Sequence, residues 1–206
     1  NQSLSDWRLE LKQALSLAID HISLYQLTIE QGTAFGDRYS IGKLRGLPDD
    51  DLSADMYAVT QEICDQFGMS SYEVSNHARD GAQSRHNLIY WRYGDYLGIG
   101  PGAHGRLTLN RQRQATECYS NPQRWLDASH AGLTEKPREI LSSDDQASEF
   151  LMMGLRLKEG IDLKRYESLA GRSLSTKKIT QMEDIGMISC ESANLQVTAK
   201  GFMVLN

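Results

Sequence analysis

Apolar residues recur along the first part of the chain in patterns that predict a helix followed by a buried strand. From residue 7 to residue 18 they return every three or four positions, which is typical of a helix, and Ser5-Asp6 would cap its start. Residues 21–29 are rich in β-formers and apolar on both faces over much of their length, as in a strand inside a parallel sheet. This pairing of elements predicts the α/β class.

Further elements are predicted to extend the same sheet. Acidic residues at 49–51 suit the start of a helix that continues to about residue 67, where Gly68 ends it. Residues 69–76 and 93–99 are predicted to form a second and a third strand. Helices and strands therefore alternate over the first half of the chain.

The last third of the chain predicts short helices and one hairpin. Helices are expected after residue 143, after Asp162 and over residues 177–185. A strand, a turn and a second strand then fill residues 187–197, and Thr198 caps a final short helix. This order is typical of a winged-helix domain.

Composition and charge narrow the class of protein. The 206 residues are 40% hydrophobic and 24% charged, as in ordinary globular proteins, and the net charge of −5 argues against nucleic-acid binding through bulk electrostatics. Three cysteines without a closely spaced pair indicate reduced thiols rather than a disulfide framework or an iron–sulfur site. No apolar run reaches the roughly 18 to 20 residues that cross a bilayer, and the chain opens without a secretion signal. We therefore expect a cytoplasmic protein.

Residues 84–106 carry the strongest candidate chemistry. Two histidines, four large aromatic residues and five glycines lie within these 23 residues. His86 places an imidazole close to the rings of Tyr90 and Trp91, and a metal-capable imidazole beside flat apolar rings suits heme or another large planar cofactor. The alternative is a glycine-rich strand and loop whose aromatic side chains fill a core.

Four motifs in this chain follow one another in an order that resembles a known family. They are YQLTIEQGTAF at 25–35, YEVSNHA at 72–78, RHNLIYW at 85–91 and LGIGPGAH at 97–104. Together they resemble the HemW heme chaperones, which are relatives of the oxygen-independent coproporphyrinogen III oxidase HemN among the radical S-adenosylmethionine (SAM) enzymes. The winged-helix-like ending is also similar to that family, so the resemblance covers nearly the whole chain.

The resemblance implies a specific architecture for this sequence. Residues 1–115 would form the C-terminal portion of a radical SAM partial (β/α) barrel with added strands, and residues 116–206 a helical, winged-helix-like domain. Family members hold a [4Fe–4S] cluster on a Cys-x-x-x-Cys-x-x-Cys loop and bind SAM at its open iron. That loop does not occur in this sequence. We therefore expect the cluster-binding half, with its SAM and cluster, to belong to the full-length protein and to be absent from this chain.

The resemblance also implies roles for individual residues. The HNxxYW pattern separates heme chaperones from true coproporphyrinogen oxidases, and its histidine is the position associated with heme binding. The resemblance therefore implies that His86 ligates the heme iron. It also implies heme contact for Asn87, Tyr90 and Trp91. Two strand positions and one strand end match places that lie beside SAM in the family, namely Tyr25, Thr28 and His104.

Three functions follow from these patterns as hypotheses. The first is a heme chaperone that passes heme to respiratory-chain proteins. Such a protein is expected to have no membrane-spanning segment, although it could associate with the membrane surface. The second is an oxygen-independent coproporphyrinogen III dehydrogenase, which leaves open whether the protein is an enzyme. The third is a DNA-binding winged helix, which the charges oppose because acidic residues at 183–184 balance Lys177 and Lys178.

Overall fold

A computed structural model describes residues 2–205 of the chain. Its contacts divide these residues into two compact units, 2–83 and 84–205, and each unit is described by itself below. Both units combine helices with small antiparallel sheets. The α/β class expected from the sequence is therefore confirmed.

Residues 2–83 form three helices and three short strands. These are α1 (Leu4–Leu17), β1 (His21–Ser23), α2 (Ala34–Ser40), α3 (Asp50–Gln66), β2 (Ser70–Ser71) and β3 (Asn76–Ala78). The core of this unit lies between α1 and α3, where Leu11, Leu15 and Ile63 are almost completely buried. Burial of these side chains is the main force that holds the two helices together.

Helix α1 begins two residues earlier than the sequence pattern predicts. The hydroxyl of Ser3 accepts a hydrogen bond from the backbone N–H of Asp6 (3.1 Å), and the Asp6 carboxylate accepts one from the backbone N–H of Ser3 (3.2 Å). Such a reciprocal pair satisfies two of the free donors at a helix start. Ser3, rather than Ser5-Asp6, is therefore the cap.

The expectation of a parallel sheet with a long strand over residues 21–29 is wrong. Strand β3 lies between β1 and β2 and is antiparallel to both, and the pairing of β1 ends at Ser23 opposite Asn76. The chain turns just before β3, where the Glu73 carboxylate accepts hydrogen bonds from Ser75 N–H (2.7 Å) and Asn76 Nδ2 (2.6 Å). This turn also splits the strand predicted over 69–76 into two. Within residues 2–205, residues 24–29 pair with no further strand.

The second unit begins with one helix, a sheet and a further helix. Its elements are α4 (Arg85–Trp91), β4 (His104–Leu109), β5 (Gln112–Glu117), α5 (Pro122–Ser129) and β6 (Glu139–Ile140). The order of the sheet is β4-β5-β6, and each pair is antiparallel. Residue 115, near which the sequence suggests a domain boundary, lies inside β5. The compact units divide after Gln83, and β5 pairs along its whole length with β4.

The third strand predicted over residues 93–99 is replaced by an irregular segment. Tyr93 has a φ of 56°, a left-handed conformation that interrupts an extended chain, and only Tyr96 forms a bridge, to Arg106. The hairpin instead follows this segment, and its turn has two residues with positive φ, Asn110 (50°) and Arg111 (64°). Two such residues are what a tight hairpin turn needs.

The rest of the second unit agrees with the predicted helices and hairpin. It contains α6 (Ser143–Gly154), β7 (Ile161–Asp162), α7 (Leu163–Ala170), α8 (Thr176–Asp184), β8 (Ile188–Glu191), β9 (Asn194–Val197) and α9 (Ala199–Phe202), with the sheet order β7-β9-β8. Asp162 caps α7, Gly171 ends it in a left-handed conformation, and Thr198 caps α9. Phe150 and Leu195 belong to the core of this unit.

The helices of residues 2–205 lack the length or the apolar character that a bilayer crossing requires. None of them is both long enough and apolar enough to cross a membrane.

Candidate functional site

The HNxxYW pattern lies on helix α4, not on the strand or loop that its glycine-rich surroundings suggest. The hydroxyl of Ser84 caps this helix by accepting a hydrogen bond from the backbone N–H of Asn87 (3.3 Å). Residues four positions apart lie on one face of a helix. His86 and Tyr90 therefore share one face, and Asn87 and Trp91 share another, about 100° away.

The first face carries an exposed imidazole and a phenol ring, and a second phenol ring from outside the helix packs against them. Nε2 of His86 lies 2.9 Å from the hydroxyl oxygen of Tyr90, and the two rings meet edge to face with centroids 4.7 Å apart. The Tyr90 ring in turn meets Tyr96, with centroids 4.3 Å apart and an angle of 61° between the planes. Burial raises the pKa of Tyr96 above its ordinary value. We call His86, Tyr90 and Tyr96 the imidazole–tyrosine cluster.

Trp91 belongs to a different environment. The guanidinium of Arg156 lies over its ring, 4.6 Å from the centroid, and its backbone carbonyl lies close to Gly154 at the end of α6. Its indole N–H is buried and has no hydrogen-bond partner within residues 2–205. Asn87, on the same face of α4, is half-buried. The structure therefore brings Tyr90 to His86 and directs Trp91 toward the C-terminal helices.

A partly buried ion pair between Arg106 and Glu149 lies next to the cluster and is linked to it through Tyr96. The backbones of Tyr96 and Arg106 exchange two hydrogen bonds (2.8 and 3.0 Å), and the Arg106 guanidinium donates to both carboxylate oxygens of Glu149. The hydroxyl of Tyr93 also donates to Glu149 (3.0 Å). The hydrogen bonds from Arg106 to Glu149 raise the pKa of Arg106, and burial raises that of Tyr93.

Sequence reasoning did not single out Tyr96 or Arg106 for this site. The signal that could have found Tyr96 is the concentration of four large aromatic residues between positions 84 and 106. Arg106 and its partner Glu149 are 43 positions apart in the sequence. A partner at that separation leaves no local pattern.

His104 is the exposed first residue of β4. It lies opposite Glu117 in the β4–β5 hairpin, and it contributes to a lowered pKa of Glu117 whose largest cause is a hydrogen bond from Lys136. A side chain at position 98 would collide with the carbonyl oxygen of His104. Close backbone packing therefore accounts for Gly98.

Tyr25 and Thr28 lie in the unpaired segment of the first unit. Both are exposed, and Tyr25 lines a cavity of about 580 Å³ together with Trp7, Tyr57 and His77. Nε2 of the buried His77 lies 3.2 Å from Nε2 of Gln61, another residue of the cavity wall. The cavity thus combines aromatic walls with a small number of polar groups, a composition that suits a small-molecule site.

Side chains that commonly bind metal ions lie apart from one another within the described residues. Within residues 2–205, no three side chains of histidine, cysteine, aspartate or glutamate converge on a point where they could hold a metal ion.

Comparison with known proteins adds a family to this geometry. The HemN C-terminal domain matches residues 141–204. The heme chaperone HemW of Escherichia coli is 35% identical over 211 residues, which cover 100% of this chain and 53% of that protein. Radical S-adenosyl methionine domain-containing protein 1, mitochondrial, of Danio rerio is 36% identical over 211 residues, which cover 100% of this chain and 45% of that protein. The resemblance to the HemW family is confirmed.

The fold of this chain is also similar to that of a solved structure. The coproporphyrinogen III oxidase HemN of Escherichia coli, a radical SAM enzyme, superposes with a TM-score of 0.72 over 99% of this chain and 50% of that one. Their sequences are 17% identical, so this likeness concerns the fold alone. The chain spans about half the length of the HemW relatives that it matches.

Proposed function

We propose that this chain is the heme-binding part of a HemW-type heme chaperone built on a radical SAM scaffold. The observation that carries the proposal is the exposed imidazole of His86 on α4, with the Tyr90 ring edge to face against it and the Tyr96 ring edge to face against Tyr90. An imidazole nitrogen is a common ligand of heme iron, and aromatic rings pack well against a porphyrin.

Heme is the cargo of this site, and the chain's own side chains would hold it. His86 would supply the iron ligand, and Tyr90 would contact the macrocycle at its edge. Ile89 on the same helix and Leu97 just after Tyr96 remain exposed, at 42% and 66%. Exposed apolar side chains in this part of the chain suit a ligand that is itself largely apolar. Trp91 would stabilise the fold around α4 and make no contact with heme, because its ring packs against Arg156.

The remaining roles belong to the full-length protein. We propose that it carries SAM and a [4Fe–4S] cluster, that Tyr25, Thr28 and His104 lie on the SAM side, and that heme is passed to respiratory-chain proteins. The exposure of these three side chains leaves them available for such contacts. We also propose a cytoplasmic location, which the free cysteines support. We further propose that the two domains of the full-length protein meet near residue 115.

The test is a titration of the protein with hemin, followed by the Soret absorption band. His86→Ala should weaken binding at least about tenfold, because it removes the iron ligand. His130→Ala is the matched control, since it removes another exposed histidine of the same unit that has no proposed role, and it should leave the affinity unchanged. Equal spectra and affinities for wild type and His86→Ala would overturn the assignment.

A second candidate is an oxygen-independent coproporphyrinogen III dehydrogenase. The fold it shares with HemN favours this reading. The two functions separate when the full-length protein is incubated anaerobically with SAM and coproporphyrinogen III. Formation of vinyl products would favour the dehydrogenase, and their absence alongside tight heme binding would favour the chaperone.

A further inference from the structure

The two nitrogens of the His86 imidazole are not equivalent for a flat ligand. Nδ1 is bonded to the ring carbon that carries Cβ, so it lies next to the helix backbone, whereas Nε2 is at the far end of the ring. A porphyrin is much wider than an imidazole, and its plane would collide with Cβ if the iron approached Nδ1. The iron of heme must therefore approach Nε2.

That nitrogen already has a partner within the helix. The hydroxyl oxygen of Tyr90 lies 2.9 Å from Nε2, a normal hydrogen-bond distance. The edge-to-face contact with Tyr96 restricts the Tyr90 ring and holds the hydroxyl near the imidazole. The backbone of Tyr96 is itself held by two hydrogen bonds to the backbone of Arg106.

Iron and the Tyr90 hydroxyl cannot use Nε2 at the same time. If the hydroxyl donates to Nε2, it occupies the lone pair that iron needs. On heme binding the phenol O–H then rotates away and donates its hydrogen bond to a water molecule instead. If Nε2 carries the hydrogen and donates to the phenol oxygen, that proton must move to Nδ1 through water before the iron–nitrogen bond forms. The imidazole stays neutral, no electron is transferred, and the contact with Tyr90 is broken in both cases.

We propose that the Tyr90 hydroxyl competes with heme iron for Nε2 of His86, and that Tyr96 is a positioning residue that keeps this competitor in place. The inference rests on the proposed heme binding at His86. This competition suits a carrier protein. The hydrogen bond between the Tyr90 hydroxyl and Nε2 forms again when heme leaves, and this keeps heme binding reversible. One hydrogen bond of this kind should change the affinity by about two- to tenfold.

The experiment compares heme affinity and heme release in three variants. Tyr90→Phe keeps the ring but removes the hydroxyl, so it should bind hemin about two- to tenfold more tightly and release it more slowly to excess apomyoglobin. Tyr119→Phe is the matched control, because it removes a phenol hydroxyl from a ring that lies outside the cluster, under the guanidinium of Arg124, and should behave as wild type. Tyr96→Leu frees the Tyr90 ring and should shift the affinity in the same direction as Tyr90→Phe.

A second measurement reads the contact directly in the heme-free protein. The ¹⁵N chemical shift of His86 Nε2 should change in Tyr90→Phe and stay constant in Tyr119→Phe, which a purely structural role of Tyr90 would not produce. In a His86→Ala background, Tyr90→Phe should have no effect on the remaining heme affinity.

The outcomes separate this inference from the proposed function. If His86→Ala abolishes tight heme binding but Tyr90→Phe leaves the affinity unchanged or lowers it, the competition is overturned and the heme site stands. If His86→Ala leaves heme binding intact, the heme site at His86 is overturned, and the competition falls with it.

Discussion

The guanidinium of Arg156 lies 4.6 Å from the centroid of the Trp91 ring. This contact joins the last residue of the HNxxYW pattern to the residues that follow α6, within the part of the chain that matches the HemN C-terminal domain. His86 makes its aromatic contact on another face of the same helix. The pattern therefore combines two tasks, which can be tested separately.

Trp91→Leu should destabilise the protein and leave its heme chemistry in place. Loss of a large, partly buried ring and its cation–π contact should cost about 2 kcal/mol in the free energy of unfolding. The measurement is urea unfolding followed by far-UV circular dichroism. The folded variant should titrate with hemin as wild type does, so a lost Soret shift in folded Trp91→Leu would contradict the division of tasks.

Glu149→Gln should destabilise the second unit by about 1–3 kcal/mol, because Arg106 would lose a charged, bidentate partner in a partly buried site. The side chains of Arg106 and Glu149 are only 20% and 18% exposed. Glu62→Gln provides the control, since Glu62 pairs with Arg8 at 3.4 Å on the surface and its loss should cost less than about 0.5 kcal/mol. Similar losses for the two variants in urea unfolding would contradict the prediction.

The ion pair between Arg92 and Glu159 should make stability depend on pH in the acid range. Hydrogen bonds from Arg92 (2.7 Å to each carboxylate oxygen) hold the pKa of Glu159 below its ordinary value of 4.5. A carboxylate whose pKa is lower in the folded state contributes stability above the unfolded pKa and loses it as pH falls through the folded pKa. The contribution should therefore be complete above about pH 4.5 and disappear below it.

Glu159→Gln should consequently lose less stability than wild type when the pH falls below 4.5. The difference should stay under about 1 kcal/mol, because both side chains of the pair are half exposed. Thermal unfolding measured from neutral pH to pH 3 checks this expectation. Arg92→Gln removes the same pair from the other side and should flatten the curve in the same way; parallel curves for all three proteins would exclude the pair as the cause.

Cys64 and Cys190 should differ strongly in their reactivity toward iodoacetamide. Cys64 is completely buried, and burial raises the pKa of its thiol to about 12, so almost none of it is thiolate at pH 8. Cys190 is only half-buried. Peptide mass spectrometry should find Cys190 alkylated first and Cys64 only after unfolding in urea. Equal rates in the folded protein would show that the core around Cys64 opens freely.

Several helix ends could be predicted because their signals are local. Asp162 starts α7, Gly171 ends it, and Thr198 caps α9, as the sequence predicts. Each signal acts on backbone groups within about four positions, so a short stretch of sequence contains both partners. The sheet of the first unit was not predictable in this way, since the pairing of Ser23 with Asn76 joins residues 53 positions apart.

The residue types of the candidate heme site, and their likeness to the HemW family, follow from the sequence by itself. The histidine and aromatic residues of the HNxxYW pattern are read directly from positions 86–91. The tertiary structure decided that these residues form a helix, that Tyr90 contacts Nε2 of His86, and that Trp91 packs against Arg156. The reason is physical: the orientation of α4 depends on contacts with α6, whose residues lie more than fifty positions further along the chain, and no local pattern records them.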